Sequence, residues 1–386
     1  MNRKPKSGWM CFLSVLALAL AGIAFTPEAG AQSAKPDFLF RCAGTMPLEH
    51  FMTRTLEYYA KIIQERSKGR MKIEIYPVNQ LFSDKDLPKA LPSGAVDMAQ
   101  VNMAMWAGLV PSLAVQELPF FYKDRDHFFR AMISPGVRGV LDKDFESKGV
   151  KILFWMDYGY MAVIGKKPIR NLEEFKGKRI RVFGEISSEF LRALGAAPVF
   201  LSVGEVYLAL QRGTIDGVLT STCSVDERKF FEVAKHFTLI KVGEYQNQPA
   251  VLVNLKKYQE LPPDLQKLLI DASREAQDWG LDASLKDTDQ CLNNLKAKGM
   301  QIYYPTDNEK KRWAEATKGI MANYLKRTGS VGKDLIEEVI RCGSVKPGPG
   351  NFPAFEKSST AEENAEWKNP RPRIPSMTGS SSAAGS

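Results

Sequence analysis

The residue best suited to bind a charged ligand is Arg181, at the end of a short predicted strand with the sequence R-I-R-V. Ile180 and Val182 point to one face of that strand, and Arg179 and Arg181 point to the other. In open α/β sheets, ligands bind beyond the carboxyl ends of the strands. An arginine there can hold a carboxylate through two parallel hydrogen bonds. The position therefore predicts an anion-binding residue, with a structural salt bridge as the alternative.

Common catalytic constellations are missing from the sequence. The three histidines stand far apart, and there is no H-E-x-x-H, no G-x-S-x-G, no phosphate-binding glycine loop and no dinucleotide fingerprint. Two acidic residues have structural roles instead: Glu205 forms a helix-capping box with Ser202, and Asp216 precedes Gly217 in a turn. We therefore predict a binding protein that is not an enzyme and that has no cofactor and no bound metal.

The two ends of the chain differ in composition from the part between them. Residues 1–31 combine a basic start, an apolar run and the small-residue pattern Ala29-Gly30-Ala31. This predicts a secretory signal peptide cleaved near Ala31, with an uncleaved anchor as the alternative. Residues 346–386 are rich in Pro, Ser and Gly, which predicts a partly disordered tail. The expected location is the periplasm.

The formal net charge of +9 is dispersed among acidic residues rather than gathered in a basic tract. Such a distribution is typical of a solvated surface, so nucleic acid is not an expected partner.

The elements that position Arg181 alternate between strands and helices. An apolar strand near Phe38, an amphipathic helix with period 3.6 and an alternating strand from Met71 follow one another. This β-α-β order predicts a parallel sheet with helices on its faces. From Pro262 to Gly299 the chain is almost continuously helix-forming. At 1.5 Å per residue such a helix spans about 50 Å, so we expect it to run across two domains. A kink near Gly280 is the alternative.

Four cysteines follow the predicted cleavage site: Cys42, Cys223, Cys291 and Cys342. An oxidising compartment permits disulfides, and four cysteines allow three full pairings. The pair to expect first is Cys291–Cys342, because both lie in predicted C-terminal helices. Free buried thiols are the alternative.

Six segments in order resemble one known family. They are G-R-M-K-I-E-I-Y-P-V-N-Q-L from Gly69, A-L-P-S-G-A-V-D-M from Ala90, E-L-P-F from Glu117, F-K-G-K-R-I-R-V from Phe175, L-G-A-A-P-V from Leu194, and E-V-Y-L-A-L-Q-R-G-T-I-D-G from Glu205. Together they resemble the solute-binding proteins of tripartite ATP-independent periplasmic (TRAP) transporters, of the dicarboxylate-binding type. The resemblance extends from about Phe38 to Gly343.

The resemblance implies an α/β, periplasmic-binding-protein-like fold: two α/β domains joined by crossing strands and a long domain-spanning helix, with a ligand cleft between them. We expect residues 36–158 and about 246–286 to form the first domain, and residues 159–245 and about 287–345 to form the second. The implied partners are a small-molecule carboxylate and the membrane permease subunits to which it is delivered.

Seven residues are expected to contact the ligand: Asn102, Met161, Arg181, Phe183, Gly184, Thr220 and Asn247. Arg181 matches the family's signature arginine, which pairs with the substrate carboxylate. Many members carry a second arginine at the place of Met161 and an asparagine at the place of Thr220. From the returning crossover we expect Asn247 to reach the cleft, with Gln248 as the alternative.

These departures predict a pocket less cationic than one for a C4-dicarboxylate or sialic acid. We expect one carboxylate at Arg181 and a hydroxyl, keto or apolar body against Met161, Phe183 and either Trp106 or Trp155; each tryptophan has a core position as its alternative. Two other functions share this site: an exported carboxylate-binding protein serving a sensor or another transporter, and a secreted enzyme on the same scaffold.

Overall fold

The computed structural model describes residues 35–344, so the predicted signal peptide and tail lie outside the described residues. Eleven strands occur in this part of the chain: β1 (Phe38–Ala43), β2 (Met71–Tyr76), β3 (Met98–Asn102), β4 (Val150–Trp155), β5 (Met161–Gly165), β6 (Arg179–Val182), β7 (Ala197–Phe200), β8 (Gly217–Ser221), β9 (His236–Ile240), β10 (Pro249–Asn254) and β11 (Gln301–Tyr303). They form a five-stranded sheet in the order β2-β1-β3-β10-β4 and a six-stranded sheet in the order β11-β9-β5-β8-β6-β7.

Helices cover the sheets, and short 3₁₀ turns at Met103–Trp106, Pro111–Glu117, Val203–Glu205 and Phe230–Glu232 connect them. The α-helices among the described residues are α1 (Phe51–Arg66), α2 (Leu87–Ala90), α3 (Arg125–Ile133), α4 (Pro135–Glu146), α5 (Leu172–Phe175), α6 (Glu185–Ala193), α7 (Val206–Arg212), α8 (Thr222–Glu227), α9 (Leu255–Gln259), α10 (Pro263–Ala297), α11 (Asp307–Thr317) and α12 (Gly319–Ser344). Within residues 35–344, none of them is both long and apolar enough to cross a membrane.

The chain crosses between the two sheets after β4 and again after β9. In the five-stranded sheet, β10 lies antiparallel between β3 and β4, and in the six-stranded sheet β5 lies antiparallel between β8 and β9. The other pairings are parallel. A strand that enters a sheet directly from the opposite one has no helical crossover to reverse it, so it runs against its neighbours. The α/β prediction with crossing strands is therefore confirmed.

Helix α10 runs unbroken from Pro263 to Ala297, as the Pro-to-Gly spacing predicts. Its first half packs Leu265 and Leu269 into the core of the five-stranded sheet, and its second half packs Leu292 and Leu295 against the six-stranded sheet. At Gly280 there is no kink; an added Cβ would lie 2.9 Å from the Thr55 side chain. Glycine here allows α10 to approach α1 closely.

The expected disulfide Cys291–Cys342 is wrong. Cys291 pairs with Cys223, with 5.2 Å between the Cα atoms, and Cys42 and Cys342 are free and buried. Cys223 lies on α8, which packs beside the second half of α10. Cys342 lies on α12, which packs against α3 and α4 at the five-stranded sheet. The path of α12, which is kinked at Gly329, therefore takes Cys342 away from Cys291.

Candidate functional site

The elements built on the five-stranded sheet form the first lobe, and those built on the six-stranded sheet form the second lobe. We use the word cleft for the surface at which the two lobes meet. Arg181 lies in β6 of the second lobe with its side chain only 2% exposed. Its Nε donates to the Leu201 carbonyl at 3.0 Å, and its guanidinium lies 4.9 Å from the centre of the Phe183 ring. Burial lowers the pKa of Arg181 from its ordinary value. A desolvated cation of this kind requires anionic partners.

Asp84 supplies one such partner from the first lobe. It lies in the loop before α2, and one of its oxygens is 3.9 Å from Arg181 Nη2, which is longer than a hydrogen bond. The carboxylate accepts instead from the Ser202 hydroxyl and from the Val203 N–H of the second lobe. Lys85 next to it forms an ion pair with Glu205 at 2.9 Å. The two lobes are therefore in direct polar contact, as in a closed clamp.

Asn102 and Asn247 form one continuous hydrogen-bond chain. Asn247 donates to Asn102 Oδ1 at 2.8 Å, and Gln116 Nε2 donates to Asn247 Oδ1 at 3.2 Å. Gln116 Oε1 in turn accepts from the N–H of Gln248. This chain joins the end of β3 to the segment that returns from the second lobe, so it holds the first-lobe wall of the cleft in place.

Gly184 lies where the backbones of the two lobes approach each other closely. It precedes α6, and a Cβ built on it would lie 2.6 Å from the carbonyl oxygen of Ala104, in the first lobe. Its φ of −165° is ordinary extended backbone. Space, rather than backbone strain, is therefore the reason for glycine at this position.

Met161 and Thr220 are both buried on neighbouring strands, but their hydrogen-bonding environments differ. Met161 begins β5, opposite Ser221 and Ile240. Thr220 lies in β8, and its Oγ1 is buried without a hydrogen-bond partner within residues 35–344. Polar atoms in native cores are rarely left in this state, so Thr220 Oγ1 is available to a ligand.

Trp106 and Trp155 are both fully buried and pack in the aromatic core of the first lobe. Trp106 lies against Phe145 with 5.6 Å between ring centres, and Trp155 lies edge-on to Phe128 at 6.2 Å. These contacts favour the core position that was the alternative for each residue.

A second arginine, Arg228, reaches the cleft and was missed by the sequence analysis. It follows α8, and its Nη2 donates to the Thr45 carbonyl of the first lobe at 2.6 Å. Burial lowers the pKa of Arg228, while the charges of Tyr158, Glu227 and Asp84 oppose that shift. The positive charge of Arg228 also lowers the pKa of Arg181. Arg181 is therefore not the only cation in this part of the cleft.

In the described part of the chain, one group of potential metal ligands lies close together, namely Cys223, Glu227 and Cys291. The two sulfurs are joined in the disulfide, so neither is available as the thiolate that a metal requires. What remains at the cleft is a set of buried cations and amide donors.

Glu117, in the E-L-P-F segment, is hydrogen-bonded to the segment that returns from the second lobe to the first. It is 1% exposed and accepts a hydrogen bond from the Tyr245 hydroxyl at 2.7 Å. Burial raises the pKa of Glu117 to about 8. Because the folded state holds this proton more tightly than the unfolded state, stability contributed by Glu117 is present below pH 4.5 and is lost as the pH rises towards 8.

We expect Glu117→Gln to flatten the dependence of stability on pH. Between pH 5 and pH 8 the wild type should lose about 3 kcal/mol more of its unfolding free energy than the variant, because glutamine has no proton to lose. Urea denaturation at both pH values measures this, with Glu57→Gln on the exposed face of α1 as the control. Parallel pH profiles for wild type and Glu117→Gln would contradict the assignment.

The chain is similar in sequence to known bacterial solute-binding proteins. The family model for bacterial extracellular solute-binding proteins, family 7 (DctP), matches residues 42–328. A solute-binding protein of Sulfitobacter sp. is 28% identical over 335 residues, covering 86% of this chain and 99% of that protein. The C4-dicarboxylate-binding periplasmic protein DctP of Rhodobacter capsulatus is 28% identical over 275 residues, covering 70% of this chain and 82% of that protein.

Solved structures show the same fold. A TRAP periplasmic solute-binding protein of Desulfovibrio salexigens with bound orotic acid has a TM-score of 0.74 at 25% identity, covering 79% of this chain and 99% of that chain. One from Sulfurospirillum deleyianum with bound succinate has a TM-score of 0.72 at 24% identity, with the same coverage. The family model matches most of the chain, and these folds agree with the two-lobed architecture. This protein therefore belongs to the bacterial extracellular solute-binding protein family 7, the TRAP-type solute-binding proteins.

Proposed function

We propose that this protein is the extracytoplasmic receptor of a TRAP transporter, located in the periplasm, that binds a small organic acid in the cleft and delivers it to the membrane permease subunits. The observation that carries the proposal is Arg181, a buried cation whose nearest carboxylate, Asp84, is 3.9 Å away and already accepts hydrogen bonds from the second lobe. A ligand carboxylate satisfies the guanidinium through two parallel hydrogen bonds. The ligand is bound and released unchanged.

The other expected contacts surround this anchor. We propose that Phe183 packs on the ligand beneath Arg181 and that Thr220 donates to it through the unpartnered Oγ1. Asn102 and Asn247 form the first-lobe wall, and Met161 and Gly184 shape the second-lobe wall. The predicted domains, residues 36–158 with 246–286 and residues 159–245 with 287–345, correspond in this proposal to the bodies that close over the ligand.

A thermal-shift screen of the purified protein over a library of organic acids tests binding. A ligand present at a hundred times its dissociation constant stabilises a protein by about 2.7 kcal/mol, which a melting curve resolves. Recovery of the acid unchanged after prolonged incubation separates a receptor from an enzyme. Uptake of the same acid by cells carrying the permease subunits, with and without this protein, tests delivery.

Closure of the lobes is expected to require glycine at position 184. In Gly184→Ala the new methyl group would lie 2.6 Å from the Ala104 carbonyl oxygen, so the lobes must separate slightly. Overpacking typically costs about 1–3 kcal/mol, which corresponds to a loss of affinity of about 5- to 150-fold. Titration calorimetry with the acid found in the screen measures this.

The matched control is Gly204→Ala, since an added Cβ there meets nothing within 4 Å. Unchanged affinity in Gly184→Ala would show that ligand binding does not require this close approach.

A further inference from the structure

Arg228 presents a buried hydrogen-bond donor that the protein does not satisfy. Its Nη2 donates to Thr45, but its Nε is buried and has no hydrogen-bond partner within residues 35–344. A donor of a charged group that is both desolvated and unpaired is destabilising. A ligand oxygen accepting from Arg228 Nε would remove that destabilisation.

Two buried glutamines that bind neighbours of this arginine, Thr45 and Tyr158, also offer donors. Gln100 Oε1 accepts from the N–H and the hydroxyl of Thr45, and Gln248 Oε1 accepts from the N–H of Tyr158 at 2.6 Å. A backbone N–H can only donate, so these bonds fix which end of each amide is the oxygen. The remaining Nε2 groups of Gln100 and Gln248 are buried without partners among the described residues.

His50 adds a further donor. Its Nδ1 accepts from the Met52 N–H at 3.1 Å, so the neutral ring carries its proton on Nε2. Burial, together with the charges of Arg228 and Arg54, lowers the pKa of His50 to about 3, so the ring is neutral at physiological pH. Nε2 lacks a hydrogen-bond partner in the described part of the chain.

Fewer acceptors are left over in the same network. Gln246 Oε1, on the returning crossover, is buried without a partner within residues 35–344, and its own Nε2 donates to the Gln116 carbonyl. Thr220 Oγ1 can donate or accept. Glu227 Oε2, 3.9 Å from His50 Nε2, is a further buried oxygen without a hydrogen-bond partner in this part of the chain. The unsatisfied atoms around the two arginines are thus mostly donors, with two or three acceptors. Hydroxyl and carbonyl oxygens of a ligand match such a set, because hydroxyls both accept and donate whereas alkyl groups do neither.

The charges of the cleft favour a single ligand carboxylate. Arg181 and Arg228 contribute two positive charges and Asp84 one negative charge. Burial raises the pKa of Glu227 to about 8, so this carboxyl is largely uncharged at neutral pH. The remaining charged neighbours form ion pairs with each other, namely Lys85–Glu205, Arg54–Asp287 and Lys298–Asp226.

The charges of Arg181, Arg228 and Asp84 therefore add up to one net positive charge in the cleft. Since a buried site is most stable when its charges cancel, one carboxylate neutralises the cleft and a second would leave an excess negative charge.

We infer that the cleft selects a monocarboxylic acid carrying several hydroxyl or carbonyl oxygens, a sugar acid in its chemistry, over dicarboxylates and alkyl monocarboxylates. This rests on the proposed receptor function, with Arg181 as the carboxylate anchor. Arg228, Gln100 and Gln248 are then the specificity-determining residues, because they bind the neutral oxygens at the other end of the ligand.

Titration calorimetry with D-gluconate, succinate and butanoate tests the inference. The wild type should bind D-gluconate at least about tenfold more tightly than either of the others. Arg228→Met should weaken D-gluconate binding by about 10- to 150-fold, the range expected for losing hydrogen bonds to a charged group. It should weaken butanoate binding less than D-gluconate binding, because butanoate loses only the positive charge of Arg228 and no hydrogen bond. Arg212→Met, at the exposed end of α7, is the control and should change neither.

Gln100→Met provides a second variant that keeps both arginines, and it should also weaken D-gluconate more than butanoate. Melting temperatures without ligand show whether each variant folds. Tighter binding of succinate than of D-gluconate, or equal losses for D-gluconate and butanoate in both Arg228→Met and Gln100→Met, would overturn the inference.

Those results leave the receptor proposal intact as long as Arg181→Ala weakens binding of whichever acid is held by at least about 30-fold. Failure of the receptor proposal looks different: no acid of any class binds, or Arg181→Ala binds acids as the wild type does.

Discussion

Replacing Arg181 by alanine is expected to weaken binding of the organic acid by about 30-fold to several thousand-fold. The reason is that the ligand carboxylate would remain desolvated in the cleft without its partner, and truncating one member of a buried, hydrogen-bonded charge pair costs about 2–5 kcal/mol. Arg181→Lys should also bind poorly, because a point charge does not replace a planar donor fork. Titration calorimetry on the acid identified by thermal shift measures both.

The neighbouring arginine on the same strand provides the matched control. Arg179 lies at the start of β6, two residues before Arg181, is 47% exposed and pairs with Asp216 at 2.9 Å. Arg179→Ala removes the same side chain from the same strand, so it should leave ligand affinity within about twofold. Wild-type affinity in Arg181→Ala would remove this residue from the site, since no second carboxylate anchor is proposed.

Removing the Cys223–Cys291 disulfide is expected to lower the unfolding free energy by about 4 kcal/mol. The bridge spans 68 residues, and closing a loop of that length restricts the unfolded chain by about this amount. The double variant Cys223→Ala/Cys291→Ala should therefore unfold at lower urea concentration than the oxidised wild type. Addition of a thiol reductant should destabilise the wild type and have little effect on the variant.

A second double variant separates the disulfide from simple loss of packing. Cys42→Ala/Cys342→Ala removes two buried free thiols and leaves the bridge in place. It should lose only the packing contribution of the two sulfurs and should keep the wild type's sensitivity to reductant. If reductant left the stability of the wild type unchanged, Cys223 and Cys291 would not be joined in solution.

Most of the fold follows from local patterns in the sequence. The alternation at Met71, the capping box at Ser202 and Glu205, and the Pro-to-Gly spacing around α10 correspond to observed elements. Each depends on residues within a few positions of one another, so propensity and periodicity suffice to predict it. The antiparallel strands β5 and β10 differ from the parallel order suggested by the first β-α-β unit, because they follow the chain's passage between lobes.

The candidate site was only partly accessible from sequence. Arg181 was found because a strand end is recognisable locally. Asp84 and Arg228 were missed because each lies among other charged residues, in S-D-K-D and D-E-R-K, and such clusters are usually solvated. Their proximity to Arg181 arises across separations of about a hundred and about fifty residues, which local patterns do not encode.

The expectation of a weakly cationic, partly apolar pocket shows the same limit. That expectation came from comparing two single positions, Met161 and Thr220, with the family pattern. The cleft as folded contains Arg228 from another element, together with the amide donors of Gln100 and Gln248. Whether a pocket is polar depends on every chain segment that reaches it, so a substitution at one position is insufficient to decide the ligand.

By itself, the sequence determined the class of protein, the α/β elements, the continuous helix α10 and the placement of one arginine at a strand end. The tertiary structure decided which cysteine pairs with Cys291, which side chains surround Arg181 and how closely Gly184 approaches Ala104. The first group depends on hydrogen bonds and burial within single elements. The second depends on the path of the chain between two lobes, where residues far apart in sequence come together only after the elements have packed.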